Sequence, residues 1–118
     1  MKKKRFGTNP GVVLTFSERV VQIALLIPNG QVTTYGKIAK AAGGGGMSAQ
    51  SITGILGKAY LAGEKKIPFH RIVYAGGRVW LNQLHREDRM KKYKAEGIIL
   101  DARDRVVDFE EKLFLAEY

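Results

Sequence analysis

The chain has 118 residues, 45% hydrophobic and 26% charged, a balance that suits one globular domain rather than a disordered or collagen-like polymer. It contains no cysteine, which excludes disulfides, thiolate zinc sites, iron–sulfur clusters and a cysteine nucleophile. The net charge of +9 is one-sided: residues 1–80 carry 12 Lys/Arg against 2 Asp/Glu, whereas residues 81–118 carry 8 against 9. That asymmetry points to a polyanionic partner, most often nucleic acid, with plain solubility as the simpler reading. The apolar run from Val20 to Ile27 is broken by Gln22 and is too short to cross a bilayer, so no membrane association is expected. Lys2-Lys3-Lys4-Arg5 is basic, but no apolar segment follows it, so no signal peptide is expected.

Residues 1–11 mix Lys, Arg, Gly, Asn and Pro without periodicity and read as a flexible basic arm. Thr15-Phe16-Ser17-Glu18 has the spacing of a capping box, and Phe16, Val20, Ile23, Ala24 and Ile27 follow at helical intervals. Pro28-Asn29-Gly30 ends this helix. Thr34 can cap a second helix from Tyr35 to about Ala42, and the glycine run Gly43 to Gly46 breaks it. Ser48 can cap a third helix from about Ala49 to Tyr60. Two short helices around a glycine turn, after a longer one, outline a helix-turn-helix.

Two β-rich runs, Ile67 to Val73 and Arg78-Val79-Trp80-Leu81, flank the turn Tyr74-Ala75-Gly76-Gly77 and predict a hairpin, which makes the unit a winged helix. A charged helix over 86–96 stops at Gly97. Ile98 to Leu100 and Arg105 to Val107 flank a turn and predict a second hairpin, and the tail to Tyr118 reads equally as strand or helix. The expected fold is a single domain, 1–118, mainly α with small β hairpins.

On a helical wheel of the third helix, Ile52, Ile55, Leu56 and Ala59 share one face. The opposite face carries Gln50, Thr53, Gly54, Gly57 and Lys58. Two glycines on an open helix face cost about 1 kcal/mol each relative to Ala. Their compensation is that another backbone can come close: a nucleic-acid strand or a packed protein segment.

Several motifs together resemble the DNA-binding domain of O6-alkylguanine-DNA alkyltransferases. Ile27-Pro28-Asn29-Gly30-Gln31-Val32-Thr33-Thr34-Tyr35-Gly36-Lys37-Ile38-Ala39 is similar to that domain's N-terminal signature. Pro68-Phe69-His70-Arg71-Ile72 stands where the family has Pro-Cys-His-Arg-Val, and Glu96-Gly97 where it has Glu-Gly. Phe69 takes the place of the alkyl-accepting cysteine, so the chain resembles the alkyltransferase-like proteins, in which an aromatic residue stands there. The resemblance implies no enzymatic alkyl transfer. It implies instead a sensor that binds double-stranded DNA carrying alkylated guanine, flips the base and directs it to nucleotide excision repair proteins.

The resemblance also assigns roles. The lesion pocket would comprise Phe69, Tyr35, His70, Glu96, Asn82 and Gln83. DNA contacts would come from Thr34, Tyr35, Gln50, Ser51, Thr53, Gly54, Gly57, Lys58 and Arg71, with Lys37, Lys40 and Arg78 as further phosphate contacts. Tyr35 matches the tyrosine that pushes on the phosphate beside the flipped nucleotide. Gln50 stands where the family has an arginine that fills the vacated stack, and it is shorter and neutral. His70 and Glu96 match a proton-relay pair that has no cysteine to serve here, and a hydrogen-bonded brace is the plain reading. Trp80 reads as lining the pocket or capping the core. No cofactor and no metal are expected. The protein is expected to be a monomer, in a bacterial cytoplasm and associated with the nucleoid. Two other classes stay open: a winged-helix DNA-binding protein without lesion recognition, and a base hydrolase using Glu96.

Overall fold

The computed structural model describes residues 2–5, 13–44 and 49–117, with side chains described over 13–44 and 51–116. Helix α1 (Phe16–Leu26) starts on the expected capping box. The Thr15 hydroxyl accepts from the Glu18 N–H at 3.1 Å, and the Glu18 carboxylate accepts from the Thr15 N–H at 3.0 Å. Two donors that a helix start leaves unpaired are thereby satisfied. Val20, Ile23, Ala24 and Ile27 are buried and Phe16 packs against them, so the helical stripe is the core face.

The chain then turns at Pro28–Gly30. Gly30 has φ +84°, and a Cβ there would lie 3.3 Å from the Glu96 carbonyl oxygen. Glycine is required twice over, for the left-handed backbone and for the close approach. Strand β2 (Thr33–Thr34) leads directly into α2 (Tyr35–Ala41). The Thr34 hydroxyl accepts from the Lys37 N–H at 3.1 Å and caps that helix, as the sequence predicts. Helix α3 (Ala49–Leu61) completes the helix-turn-helix, with Ile52 and Leu56 buried and Ile55 and Ala59 packed beside them. Gly45, Gly46 and the expected cap Ser48 lie outside the described residues.

The first expected hairpin is corrected. Strand β3 (Ile72–Val73) does not pair with residues 78–81 but runs parallel to β2, with Thr33 opposite Ile72 and Thr34 opposite Val73. Ile72 and Val73 are both buried, so the strand is covered on both faces, and such a strand sits inside the structure rather than in a solvent-facing hairpin. A short 3-10 turn at Ala75–Gly77 follows, closed by the Tyr74 N–H donating to the Arg78 carbonyl at 2.8 Å. Residues 77–79 pair instead with 104–106: Val79 N–H donates to Asp104 and Val106 N–H to Gly77. The second hairpin is present in reduced form, as an antiparallel bridge between Leu100 and Val106.

Helix α4 (Arg86–Ala95) ends at Gly97, whose φ of +72° allows the Ile98 N–H to reach back to the Tyr93 carbonyl at 2.9 Å. A four-residue helix α5 (Phe109–Lys112) precedes strand β4 (Phe114–Glu117). Residues 2–5 of the expected basic arm form strand β1 (Lys2–Arg5), parallel to β4, while residues 1 and 6–11 of that arm lie outside the described residues. A second small core gathers Val32, Val73, Val79, Tyr93, Ile98 and Val106 under α4. The architecture is mainly helical with short strands, as expected.

Candidate nucleic-acid interface

Three short motifs far apart in the chain meet at Glu96. Its carboxylate accepts from Arg71 twice, Nε to Oε1 and Nη2 to Oε2, each at 2.9 Å. The Gly30 N–H reaches Oε1 at 3.1 Å, and His70 Nε2 lies 2.6 Å from Oε2. Burial pushes Glu96 up, but hydrogen bonds from Arg71, His70 and the Gly30 N–H outweigh it and hold its pKa at about 2. The carboxylate is therefore ionised and accepts only, so His70 Nε2 must be the protonated nitrogen. Burial pushes His70 below the usual imidazole value, against the opposing pull of Glu96, so the ring is neutral at neutral pH. This is a fully paired brace joining the Pro-Asn-Gly turn, the Phe-His-Arg segment and the end of α4.

Arg71 belongs to that brace and not to the DNA-contacting set in which the resemblance places it. Its third nitrogen donates to the Ile27 carbonyl at 2.9 Å, so the guanidinium is spent inside the protein. Thr34 is likewise only 7% exposed, with its hydroxyl engaged as the α2 cap.

Phe69 lies in the 3-10 turn Phe69–Arg71 and is half-buried against the core. Its ring meets the Tyr60 ring edge to face, with centroids 5.8 Å apart. The two rings line a cleft of about 590 Å³ together with His70, Lys65, Lys66, His85, Arg89 and Lys92. Of the other residues placed in the lesion pocket, Glu96 reaches this cleft through His70. Asn82 and Gln83 are not among its walls. The Asn82 side chain instead accepts from the His85 N–H at 2.8 Å, just before α4, and Gln83 is exposed. Trp80 neither lines the cleft nor caps the core, being 56% exposed.

Tyr35 opens onto a neighbouring cleft of about 490 Å³ with Gly36, Tyr74 and Arg78. Its ring tilts against Tyr74 at 5.6 Å, and its hydroxyl bonds the Thr53 side chain from α3. Burial pushes its pKa up, with the Tyr74 hydroxyl adding to the effect and Arg89 opposing it. The phenol stays protonated at neutral pH and can donate to a phosphate oxygen. Arg89 thus lies close enough to act on Tyr35 while also lining the Phe69 cleft.

The open face of α3 is as expected. Thr53, Gly54 and Lys58 are exposed, and a Cβ at Gly54 or Gly57 would meet nothing within 4 Å. Among the described residues no protein segment comes within 4 Å of a Cβ added at either glycine, which leaves room for another backbone to approach that face. Ser51, Gly54 and Lys58 border a groove of about 910 Å³ between α1 and α3. The side chain of Gln50 lies outside the described residues. Lys37, Lys40 and Arg78 are exposed. The cations that sequence reasoning missed are Lys65, Lys66 and Arg89. The signal for Arg89 was its helical spacing to Tyr93 and Glu96, which sets all three on one side of α4.

A helix-turn-helix whose glycine-bearing face is open, beside an aromatic cleft braced by His, Arg and Glu, defines a DNA-binding domain of the alkyltransferase type. Residues 15–98 match the family described as 6-O-methylguanine DNA methyltransferase, DNA binding domain, and the chain belongs to that family. It is 33% identical over 92 residues to the DNA base-flipping protein of Escherichia coli (strain K12), covering 78% of this chain and 69% of that protein. It is 34% identical over 83 residues to the DNA base-flipping protein of Vibrio parahaemolyticus, covering 70% of this chain and 80% of that one. The fold matches the crystal structure of S. pombe Atl1 in complex with damaged DNA containing O6-carboxymethylguanine, with a TM-score of 0.61, 22% identity, and 83% of this chain and 93% of that chain covered. S. pombe ATL in complex with DNA matches with a TM-score of 0.64 at the same identity and coverage.

Proposed function

We propose that this protein is a non-enzymatic sensor of alkylated guanine in duplex DNA. The observation that carries the reading is the ring of Phe69, set in an open cleft on an intact His70–Glu96–Arg71 brace, in a chain with no cysteine; the motif Pro68 to Ile72 supports taking it as the counterpart of the family's acceptor residue. An aromatic face in that place holds a flipped base by stacking, worth about 1–3 kcal/mol per base, and offers no nucleophile. The relatives named DNA base-flipping protein and the fold's occurrence in complexes with damaged DNA support the same reading.

In this mechanism the bare face of α3 approaches the DNA, with Lys58, Lys37 and Lys40 attracting phosphates. Tyr35 donates to the phosphate beside the lesion and favours the extruded nucleotide. The base enters the cleft and stacks on Phe69, with neutral His70 as its polar wall. The output is recruitment of nucleotide excision repair proteins by a monomer in the bacterial cytoplasm, at the nucleoid. The experiment is a binding titration of duplexes with and without one O6-methylguanine, expected to favour the lesion. Equal affinities would replace this reading with that of a winged-helix DNA-binding protein lacking lesion recognition. The neutral Gln50 in the place of the family's arginine is what favours that second reading. Mass spectrometry of protein and DNA after incubation should show neither alkylated protein nor a released base.

A further inference from the structure

The parallel pairing of β2 with β3 brings two tyrosines together that are far apart in the chain. Thr34 stands opposite Val73, so the residues that follow, Tyr35 and Tyr74, leave the pair side by side. Their rings lie 5.6 Å apart between centroids, tilted by 41°. Both line the cleft of about 490 Å³ that Gly36 and Arg78 also border. Tyr35 has a role in the flipping reading, whereas Tyr74 has none.

The turn after β3 holds Tyr74 and Arg78 in place. The Tyr74 N–H donates to the Arg78 carbonyl at 2.8 Å, and the Gly77 N–H donates to the Tyr74 carbonyl at 3.0 Å. A Cβ at Gly77 would lie 3.0 Å from the Phe109 ring, so the turn is seated directly on that ring. Tyr74 is 41% exposed, enough for a ligand to reach it, and Arg78 is exposed beside it.

Among the described residues the cleft walls hold two phenols and one guanidinium, and no Asp or Glu. The Thr34 hydroxyl in the same wall is engaged as the α2 cap. The Tyr35 hydroxyl, bonded to the Thr53 side chain, can accept from Thr53 and donate outward. Arg78 forms no ion pair among the described residues. Donors and positive charge without a competing acid match an anion that carries several acceptor oxygens. On a DNA-binding domain that anion is a backbone phosphate.

We propose that Tyr74 and Arg78 complete, with Tyr35, a clamp on the one phosphate beside the extruded nucleotide, the two phenols donating to its non-bridging oxygens and Arg78 supplying counter-charge. The proposal rests on the lesion-binding reading and deepens it, since it adds a second hydroxyl donor to the step that holds the nucleotide out. Lys37 and Lys40 attract phosphates on every duplex alike, whereas the clamp acts on a single phosphate. The competing use of Tyr74 is packing alone, as a support for the Tyr35 ring.

The test uses the full chain and duplexes with guanine or O6-methylguanine at one position. Each is made with an ordinary backbone or with one neutral methylphosphonate immediately 5′ or 3′ of that position. Dissociation constants are measured by fluorescence anisotropy. For the unaltered chain, one of the two methylphosphonates should weaken lesion binding about tenfold, the scale of hydrogen bonds to a charged group. Tyr74→Phe keeps the ring pair and should lose about fivefold on the ordinary lesion duplex, with little loss on the undamaged one. In Tyr74→Phe, and separately in Arg78→Gln at its exposed site, the methylphosphonate penalty should shrink to about two- to threefold, because part of the interaction it removes is already gone. A penalty that is the same in the unaltered chain and in both variants overturns the clamp, returns Tyr74 to packing and leaves lesion recognition standing. Equal losses by Tyr74→Phe on lesion and undamaged duplexes make it a general backbone contact and also overturn the proposal. Equal affinity of the unaltered chain for lesion and undamaged duplexes overturns the lesion reading and the clamp together.

Discussion

Arg71 and Glu96, 25 residues apart in the chain, form a two-pronged ion pair with both contacts at 2.9 Å. The pair closes the end of α4 onto the segment that carries Phe69. Through Gly30 and Ile27 it also holds the turn after α1. The cleft's shape therefore depends on a contact that need never touch DNA.

Removing the guanidinium leaves a half-buried carboxylate with fewer donors. Arg71→Ala is expected to cost about 3 kcal/mol of stability, as breaking a buried pair does. The measurement is the urea midpoint against the unaltered chain. A change below about 0.5 kcal/mol, the size of an ordinary surface substitution, would show that the brace is ornamental.

The same cluster sets a pH dependence. Glu96 has a pKa of about 2 in the fold against an ordinary value of 4.5, so its contribution is complete above 4.5 and is lost as the pH falls toward 2. His70 is held below its ordinary 6.5, so the unfolded chain takes up its proton first. Its contribution therefore also declines on acidification, starting near pH 6.5. Stability should fall steadily from neutral pH and more steeply in the acid range. Glu96→Gln should lower the neutral value and flatten the acid limb. Denaturation midpoints across that range check both, and a flat profile in the unaltered chain would contradict the linkage.

The glycine face of α3 makes stability and function pull apart. Neither Gly54 nor Gly57 has a neighbour within 4 Å of an added Cβ, and neither has positive φ. Alanine at either site should raise helix stability by about 1 kcal/mol. The same change should weaken DNA binding by holding the backbone away. Paired melting and binding measurements test this, and alanine variants that bind as well as the parent would remove the close-approach reading.

Tyr35→Phe keeps the ring against Tyr74 and removes the hydroxyl. The expected effect is little loss of affinity for undamaged duplex and a several-fold loss for the lesion duplex, about 1 kcal/mol for one hydrogen bond. Equal losses on both duplexes would make Tyr35 a general DNA contact.

Legibility followed distance along the chain. The capping box at Thr15, the Thr34 cap, the Gly97 stop and the buried stripe of α1 were all readable, because each rests on residues within a few positions. The hairpin at 67–81 was misread because the partner of Ile72 is Thr33, which no local turn announces. Phe69 was found through motif order, whereas Lys65, Lys66 and Arg89 were not, since a lysine or arginine reads the same on any surface. Trp80 was expected at a wall or a core edge and is exposed.

By itself the sequence determined the absence of cysteine, the one-sided charge and the helix-turn-helix, since composition and short-range periodicity carry those. Only the tertiary structure decided that Arg71 turns inward to Glu96, that Asn82 accepts from the His85 N–H rather than lining the cleft, and that Lys65, Lys66 and Arg89 gather at the cleft of Phe69. The physical reason is that a charged side chain's role is set by what it faces across the fold, and short-range sequence spacing does not carry that geometry.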